Sequence, residues 1–259
     1  MINRLLKLSI AFIYASGLIF RKKETLVVLC YHEVTAEQKQ NFIKQLDILK
    51  NKTQPVFADA PFLESTTLQR VAVTFDDGFA NLLENAFPAM KERNIPATIF
   101  IPSACLGKEP SWLKHTNHEN EHEMLMSEQQ LKEISEQILV GSHSFSHADL
   151  TNENVDVKNE LIQSKQHLEM LLKKEITLLA FPYGRSNEVS RNIAKNLGFK
   201  RVFNADPILE ESDFFMGRVD VSPDDWKIEF HLKILGAYAW LPKAFLLKRK
   251  IKEKLNVKF

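Results

Sequence analysis

Val71-Ala-Val-Thr-Phe-Asp-Asp-Gly78, followed by the amphipathic stretch Ala80–Arg93 and by Ala97-Thr-Ile-Phe-Ile101, decides the fold of this chain. An apolar run of strand length, a turn, a helical stretch and a second apolar run together make a parallel β-α-β unit. The same alternation extends in both directions. Upstream, Leu26-Val-Val-Leu-Cys-Tyr31 reads as a buried strand and Gln38–Leu49 as a helix. Downstream, Ser127 is a predicted N-cap with Gln130 at the capping-box position, for a helix running to about Gln137. Ile138-Leu-Val-Gly141 follows as a strand, then Val155–Lys173 as a helix and Ile176–Phe181 as a strand. The helix Glu188–Leu197 is closed by Gly198, and Arg201–Phe203 is the next strand. Val219 and Val221 flank a final strand, and Asp224–Gly236 is a last helix. Six or seven such units, with no internal repeat and no Gly-, Pro- or Ser-rich linker, favour one barrel-like α/β domain over two.

Composition sets outer bounds. In 259 residues, 34 Lys+Arg stand against 33 Asp+Glu, so the formal charge of +1 gives no reason to expect nucleic-acid binding. Cys30 and Cys105 each lie in an apolar run and read as buried thiols rather than a disulfide. Residues 1–23 form an N-terminal apolar segment with a basic start, an apolar stretch from Leu8 to Phe20, and Arg21-Lys22-Lys23 after it. Thirteen apolar residues are too few to span a bilayer, which takes roughly 20. Three readings stand: a helix at the interface or docked on the core, a signal peptide cut near Ala15-Ser-Gly17, or a short anchor. Residues 241–259 form a basic amphipathic tail, which suits either an anionic membrane surface or a solvated terminal helix.

The chemistry sits at strand ends. Asp76 and Asp77 would project at the C-terminal mouth of a barrel, where α/β barrels carry their active sites. A plain turn, with Asp77 capping the next helix and Gly78 in a special backbone conformation, is the competing reading. Gly141-Ser-His-Ser-Phe-Ser-His147 also follows a strand and sets two imidazoles four residues apart, a spacing that points both the same way in a helical or turning segment. Two His and one carboxylate leave an open position on a zinc-type ion, the arrangement that hydrolysis requires. Adjacent aspartates can then divide the work, one as metal ligand and its neighbour as general base. Phe181-Pro-Tyr-Gly-Arg185 ends another strand, where its backbone N–H groups could serve an oxyanion. Tyr31-His32 ends the first strand at the same mouth, so His32 either reaches the substrate or packs structurally. His115, His118 and His122 lie in an acidic, irregular stretch and read as a solvated loop.

Thr74-Phe-Asp-Asp-Gly78 and His143-Ser-Phe-Ser-His147, in this order, resemble the first two motifs of the polysaccharide deacetylases, the NodB-like carbohydrate esterases. Phe181-Pro-Tyr-Gly184 resembles the third, and Leu29-Cys-Tyr-His-Glu-Val34 resembles the opening strand of the branch that acts on exopolysaccharides and envelope glycans. The resemblance covers roughly residues 25 to 240. It implies a single distorted (β/α) barrel of about seven strands, occupying residues 24–240, and a divalent metal, usually zinc, held by Asp77, His143 and His147. It further implies Asp76 as base and the Tyr183 backbone N–H at the oxyanion. Two departures stand out. Ala180 occupies a position where many members carry an Arg, and Arg218 in Gly217-Arg-Val219 is the candidate to orient the aspartate instead. The family's closing Leu-x-x-His, which supplies the general acid, is approximated only by Ile228-Glu-Phe-His231, so His231 is the named candidate for that role.

The resemblance implies removal of an N-acetyl group from an amino sugar of a polysaccharide or a lipid-linked envelope glycan. It suggests a bacterial-type cell envelope setting, with peripheral membrane contact as one option. O-acetyl or N-formyl hydrolysis at the same site, and a non-catalytic glycan-binding relative, are the alternatives.

Overall fold

Among the described residues nine short strands, all paired in parallel, make one curled sheet, and the seven strands read from the sequence are among them. The computed structural model describes residues 4–18, 26–61, 68–116, 121–134, 138–206 and 212–241. In chain order the strands are β1 (Leu26–Tyr31), β2 (Gln54–Val56), β3 (Arg70–Phe75), β4 (Ala97–Ile101), β5 (Ile138–Ser142), β6 (Leu178–Ala180), β7 (Arg201–Phe203), β8 (Phe215–Met216) and β9 (Val219–Asp220). The sheet runs β8-β7-β6-β5-β4-β3-β1-β9. The two strands missed in the sequence, β2 and β8, are only 3 and 2 residues long, too short for a periodic signal. β2 pairs with residues 70–72 of β3, and β4 pairs with residues 73–75 along the same edge.

The helices are α1 (Arg4–Leu18), α2 (Lys39–Lys52), α3 (Leu82–Asn85), α4 (Phe87–Arg93), α5 (Glu128–Glu133), α6 (Val157–Leu172), α7 (Glu188–Asn196) and α8 (Lys227–Ile234). The helix expected over Ala80–Arg93 is broken at Ala86, whose φ of −116° ends α3 and caps α4, with Pro88 in the first turn beyond. Ser127 and Gln130 form the expected capping box, and Asn187 with Ser190 forms another. The α5 helix ends at Glu133 with Ile134 as its C-cap, and residues 135–137 lie outside the described residues.

Strand alternation sorts the apolar side chains into two cores. Leu26, Val28, Ala72, Phe100, Leu178, Ala180, Phe203 and Met216 point into the barrel, while Val27, Leu29, Val71, Val73, Ile99 and Leu179 face the helices. Ala58, outside the strands, joins the inner cluster, and the inward Arg201 donates to the carbonyls of Ala58 and Ala60. This segment therefore plugs the barrel interior. At the outer face Tyr31, Phe42, Phe75 and Phe87 form a chain of aromatic contacts with centroids 5.3–6.1 Å apart. They brace the last residues of β1 and β3, immediately before His32 and Asp76. The Tyr31 hydroxyl donates to Gln45 on α2, and Gln45 donates to the carbonyl of Ser222 beyond β9.

The two end strands, β8 and β9, are joined by only Gly217 and Arg218. Sheet ends that neighbour each other in the chain must also be neighbours in space, because the three Cα–Cα steps from Met216 to Val219 span at most about 11 Å. The curl is thus bridged covalently, and Arg218 stands at the seam.

The N-terminal helix packs against α8 with Leu8, Ala11 and Ala15 turned to the core and Ala11 fully buried. Arg4 fixes its start, pairing with Glu229 at 2.6 Å and lying 4.2 Å from the centroid of Trp226. Among the described residues no helix is long and apolar enough to cross a membrane. Arg21–Lys23 and the basic tail beyond Leu241 lie outside the described residues.

Candidate active site

The C-terminal ends of the strands open onto a cavity of about 510 Å³, whose lining includes Cys30, His32, Asp76, Asp77, His143, His147, Tyr183 and Arg218. Seven of the eight site residues named from the sequence therefore converge here. His231 does not. It sits on α8 with Nδ1 2.6 Å from the Lys227 carbonyl of its own helix, and it lines a separate cavity with α2. The physical reason is helical phase: α8 buries Phe230, Leu232, Lys233 and Ile234, which leaves Ile228 exposed and turns His231 away from the barrel mouth.

The turn after β3 does not serve as a helix cap. Asp77 takes a left-handed backbone with φ 68° and Gly78 follows at φ 81°, while α3 starts only at Leu82, with Asn81 at its N-cap. The backbone reversal aims both carboxylates at the cavity. Gly78 has little room for a side chain, since an added Cβ would lie 2.6 Å from Ile101 Cδ1.

The His143–His147 segment is not helical either. Ser144 and His147 both have positive φ, 64° and 61°, and these two turns bring the imidazoles to a centroid separation of 5.0 Å. Glu160 on α6 holds the loop in this shape: Oε2 accepts from the N–H groups of Phe145 and Ser146 at 3.0 and 2.9 Å, and Oε1 from Ser146 Oγ at 2.7 Å. Glu160 was not named from the sequence, because an acidic residue in the first turn of a helix is ordinary and its partners are 14 and 15 residues away. Left-handed non-glycine residues at Asp77, Ser144, His147 and Tyr183 concentrate backbone strain around one cavity, as functional sites commonly do.

Asp77, His143 and His147 each turn one donor atom to a common point, with all three atoms within 4.8 Å of one another. Asp77 Oδ1 lies 3.1 Å from His147 Nε2 and 3.6 Å from His143 Nε2. Yet Asp77 Oδ1 is buried and has no hydrogen-bond partner among the described residues. An orphaned carboxylate oxygen facing two imidazole nitrogens is what a cation-binding set looks like, and the one-carboxylate, two-His donor set suits a divalent ion of zinc type. His143 Nδ1 is 2.8 Å from the Ala180 carbonyl, which places its proton there and leaves Nε2 with a lone pair toward the cavity. Burial in a site beside His147 and Arg218 pushes the His143 pKa down to about 4, against the pull of Asp76 and Asp77, so the ring is neutral at pH 7.

Asp76 stands beside this set, Oδ2 at 3.9 Å from His143 Nε2. Burial opposes its ionisation, but the Arg218 guanidinium and His143 outweigh that and hold the carboxyl far below the usual range. Asp77 shows the same balance, with burial opposed by His147, His143 and His32. Arg218 donates from Nη1 to Asp76 Oδ1 at 2.6 Å and from Nη2 to Oδ2 at 2.7 Å. It also lies 5.4 Å from the Phe100 ring centroid. Cys30 Sγ adds a 3.5 Å contact to Asp76 Oδ2, and burial pushes its thiol pKa well up. Cys30, His32 and Asp76 form the second group of potential ligands, next to the first. Among the described residues no such group includes His115 or His122, while His118 lies outside them.

Comparison with known proteins places this geometry in context. The family model described as polysaccharide deacetylase matches residues 64–202. The chain is 29% identical over 174 residues to a poly-beta-1,6-N-acetyl-D-glucosamine N-deacetylase of Staphylococcus aureus, a match covering 60% of this chain and 55% of the relative. The chain thus spans about half the length of the curated relatives it matches. Among solved structures it is similar to IcaB from Ammonifex degensii, with TM-score 0.68 and 25% identity over 82% of this chain and 98% of that one. It shares its fold with the Streptococcus pyogenes deacetylase PplD, at TM-score 0.66 and 19% identity over 82% and 99% of the two chains. The barrel, the strand-end carboxylates and paired histidines, and the match across more than half of the sequence lead to one assignment: this chain belongs to the polysaccharide deacetylase family.

Proposed function

We propose that the chain is a metal-dependent hydrolase that removes an N-acetyl group from an amino sugar of a polysaccharide or lipid-linked envelope glycan. The observation that carries this is the meeting, in one cavity, of the Asp77–His143–His147 donor set with a carboxylate that Arg218 keeps ionised. The Staphylococcus aureus relative, named for its action on poly-beta-1,6-N-acetyl-D-glucosamine, makes that polymer the first substrate to try.

Asp77, His143 and His147 would hold the cation, zinc by their chemistry. The cation would polarise the acyl oxygen and lower the pKa of a water toward roughly 7, so that even a weakly basic carboxylate can accept its proton. Asp76 is that acceptor. Its Oδ2 faces the donor set, and two hydrogen bonds from Arg218 fix its plane. Water adds to the acyl carbon, and the Tyr183 N–H donates to the resulting oxyanion from a turn whose left-handed backbone projects into the cavity. The C–N bond then breaks, the amine takes a proton, and acetate leaves. With His231 facing elsewhere, His32 is the imidazole of this cavity outside the donor set and is assigned the proton donor's role.

Peripheral membrane contact belongs to this reading. Leu5, Leu6, Phe12 and Ile13 are all more than half exposed on α1, and the hydroxyls of Ser9 and Ser16 turn back to the carbonyls of Leu5 and Ile13. That face meets solvent as apolar surface, and it suits a lipid surface. Co-sedimentation of the full chain with anionic vesicles, lost in F12D/I13D, tests it.

Acetate release from β-1,6-linked N-acetylglucosamine oligomers, before and after chelation, tests the activity, with matched O-acetyl and N-formyl substrates alongside. Asp76→Asn should keep zinc and abolish release. Turnover by that variant would sink the base assignment.

A further inference from the structure

The two imidazoles of the donor set are held in different ways. His143 has the usual support, its far nitrogen 2.8 Å from a backbone carbonyl. His147 has none: Nδ1 is buried and finds no hydrogen-bond partner among the described residues. What touches the His147 ring instead is aromatic. Trp112 lies parallel to it, with centroids 3.9 Å apart and planes inclined by 17°, and Tyr183 meets it edge-on at 4.8 Å and 71°.

Trp112 comes from the long segment between β4 and α5. That segment is built onto the site. Its return limb donates from Leu125 to the Lys108 carbonyl at 2.9 Å and from Met126 to the Gly78 carbonyl at 2.8 Å. Ala80 donates in turn to Met124, and Gly107 to Met126, both at 2.9 Å. The turn that aims Asp77 is therefore stitched to the segment that carries Trp112. A short 3-10 turn over Ser111–Leu113 then presents the indole.

We propose that Trp112 is a positioning residue for His147: its face-to-face stack takes the place of the missing hydrogen bond and sets the ring angle at which Nε2 meets the cation. This rests on the reading of Asp77, His143 and His147 as the cation site. Orienting partners of metal-bound His typically change metal affinity by about 10- to 100-fold, and Trp112 stands in that position here.

The test measures the zinc dissociation constant of the full chain by competition with a chromophoric chelator, for the unsubstituted protein, W112L, W112F and D77A. W112L should bind zinc about 10- to 100-fold more weakly, and W112F, which keeps a stacking ring, should recover most of that loss. Thermal unfolding of the metal-free proteins should give closely similar midpoints for W112L and W112F, because the effect is local to one ring. Unchanged affinity in W112L, or equal losses in W112L and W112F, overturns the proposal and leaves the cation site standing. Absence of zinc binding by the unsubstituted chain, or undiminished binding by D77A, overturns the site itself and the proposal with it.

Discussion

Arg218 and Asp76, 142 residues apart in the chain, meet in a two-point hydrogen-bonded pair at 2.6 and 2.7 Å with both side chains buried. The seam between β8 and β9 delivers the guanidinium to the barrel interior. The pair accounts for how a buried carboxylate stays ionised: each oxygen receives a charge-assisted N–H, in a planar fork that only arginine provides.

Arg218→Met should therefore be costly, leaving an unpaired buried carboxylate. A loss of about 3–5 kcal/mol in urea unfolding is expected. Arg218→Lys keeps a charge but not the fork, so it should fold better yet lower kcat by about 100-fold through misplacement of Asp76. Wild-type turnover in the lysine variant would show that the fork does not matter.

His32 and His231 separate cleanly. His32→Gln should lower kcat for N-acetyl substrates by about 10²- to 10⁴-fold while leaving zinc content unchanged. His231→Gln should leave both within about twofold, since surface substitutions rarely matter beyond ±0.5 kcal/mol. Reversal of these two results would return the proton donor to α8.

Glu160 carries the shape of the His143–His147 loop through three hydrogen bonds. Glu160→Ala should weaken zinc binding by about 10- to 100-fold with the far-ultraviolet spectrum of the barrel unchanged. Undiminished affinity would mean that the positive-φ turns at Ser144 and His147 hold themselves.

Acid stability of the metal-free protein has a definite sign. His143 titrates near 4 in the folded chain against an ordinary 6.5. Between those values the unfolded chain binds a proton that the folded chain excludes, so stability falls as pH drops through this window, by order of 3 kcal/mol. Asp76 and Asp77 are depressed, so their contribution is present above roughly pH 4 and is lost as pH falls further. Denaturant titrations in EDTA from pH 7 to 4 should show the decline, and His143→Asn should flatten it. A parallel slope in that variant would contradict the assignment.

Much of this protein was legible in its residues one after another. Apolar runs at β1, β3 and β4, the Ser127–Gln130 capping box and the Gly198 stop are local signals, because backbone hydrogen bonding and burial act within a few residues of their cause. The Asp-Asp and His-x-x-x-His pairs were readable for the same reason: each is a strand end and its turn. His231 was misplaced because a helix satisfies an i, i+3 spacing anywhere along its length, and only packing decides which face is buried. Tertiary structure alone decided that Arg218 meets Asp76, that Glu160 shapes the histidine loop, and that Trp112 lies on His147. Those partners are brought together by the curl of the sheet and by loop closure over many residues, and nothing in the local sequence encodes which distant side chain fills a given face.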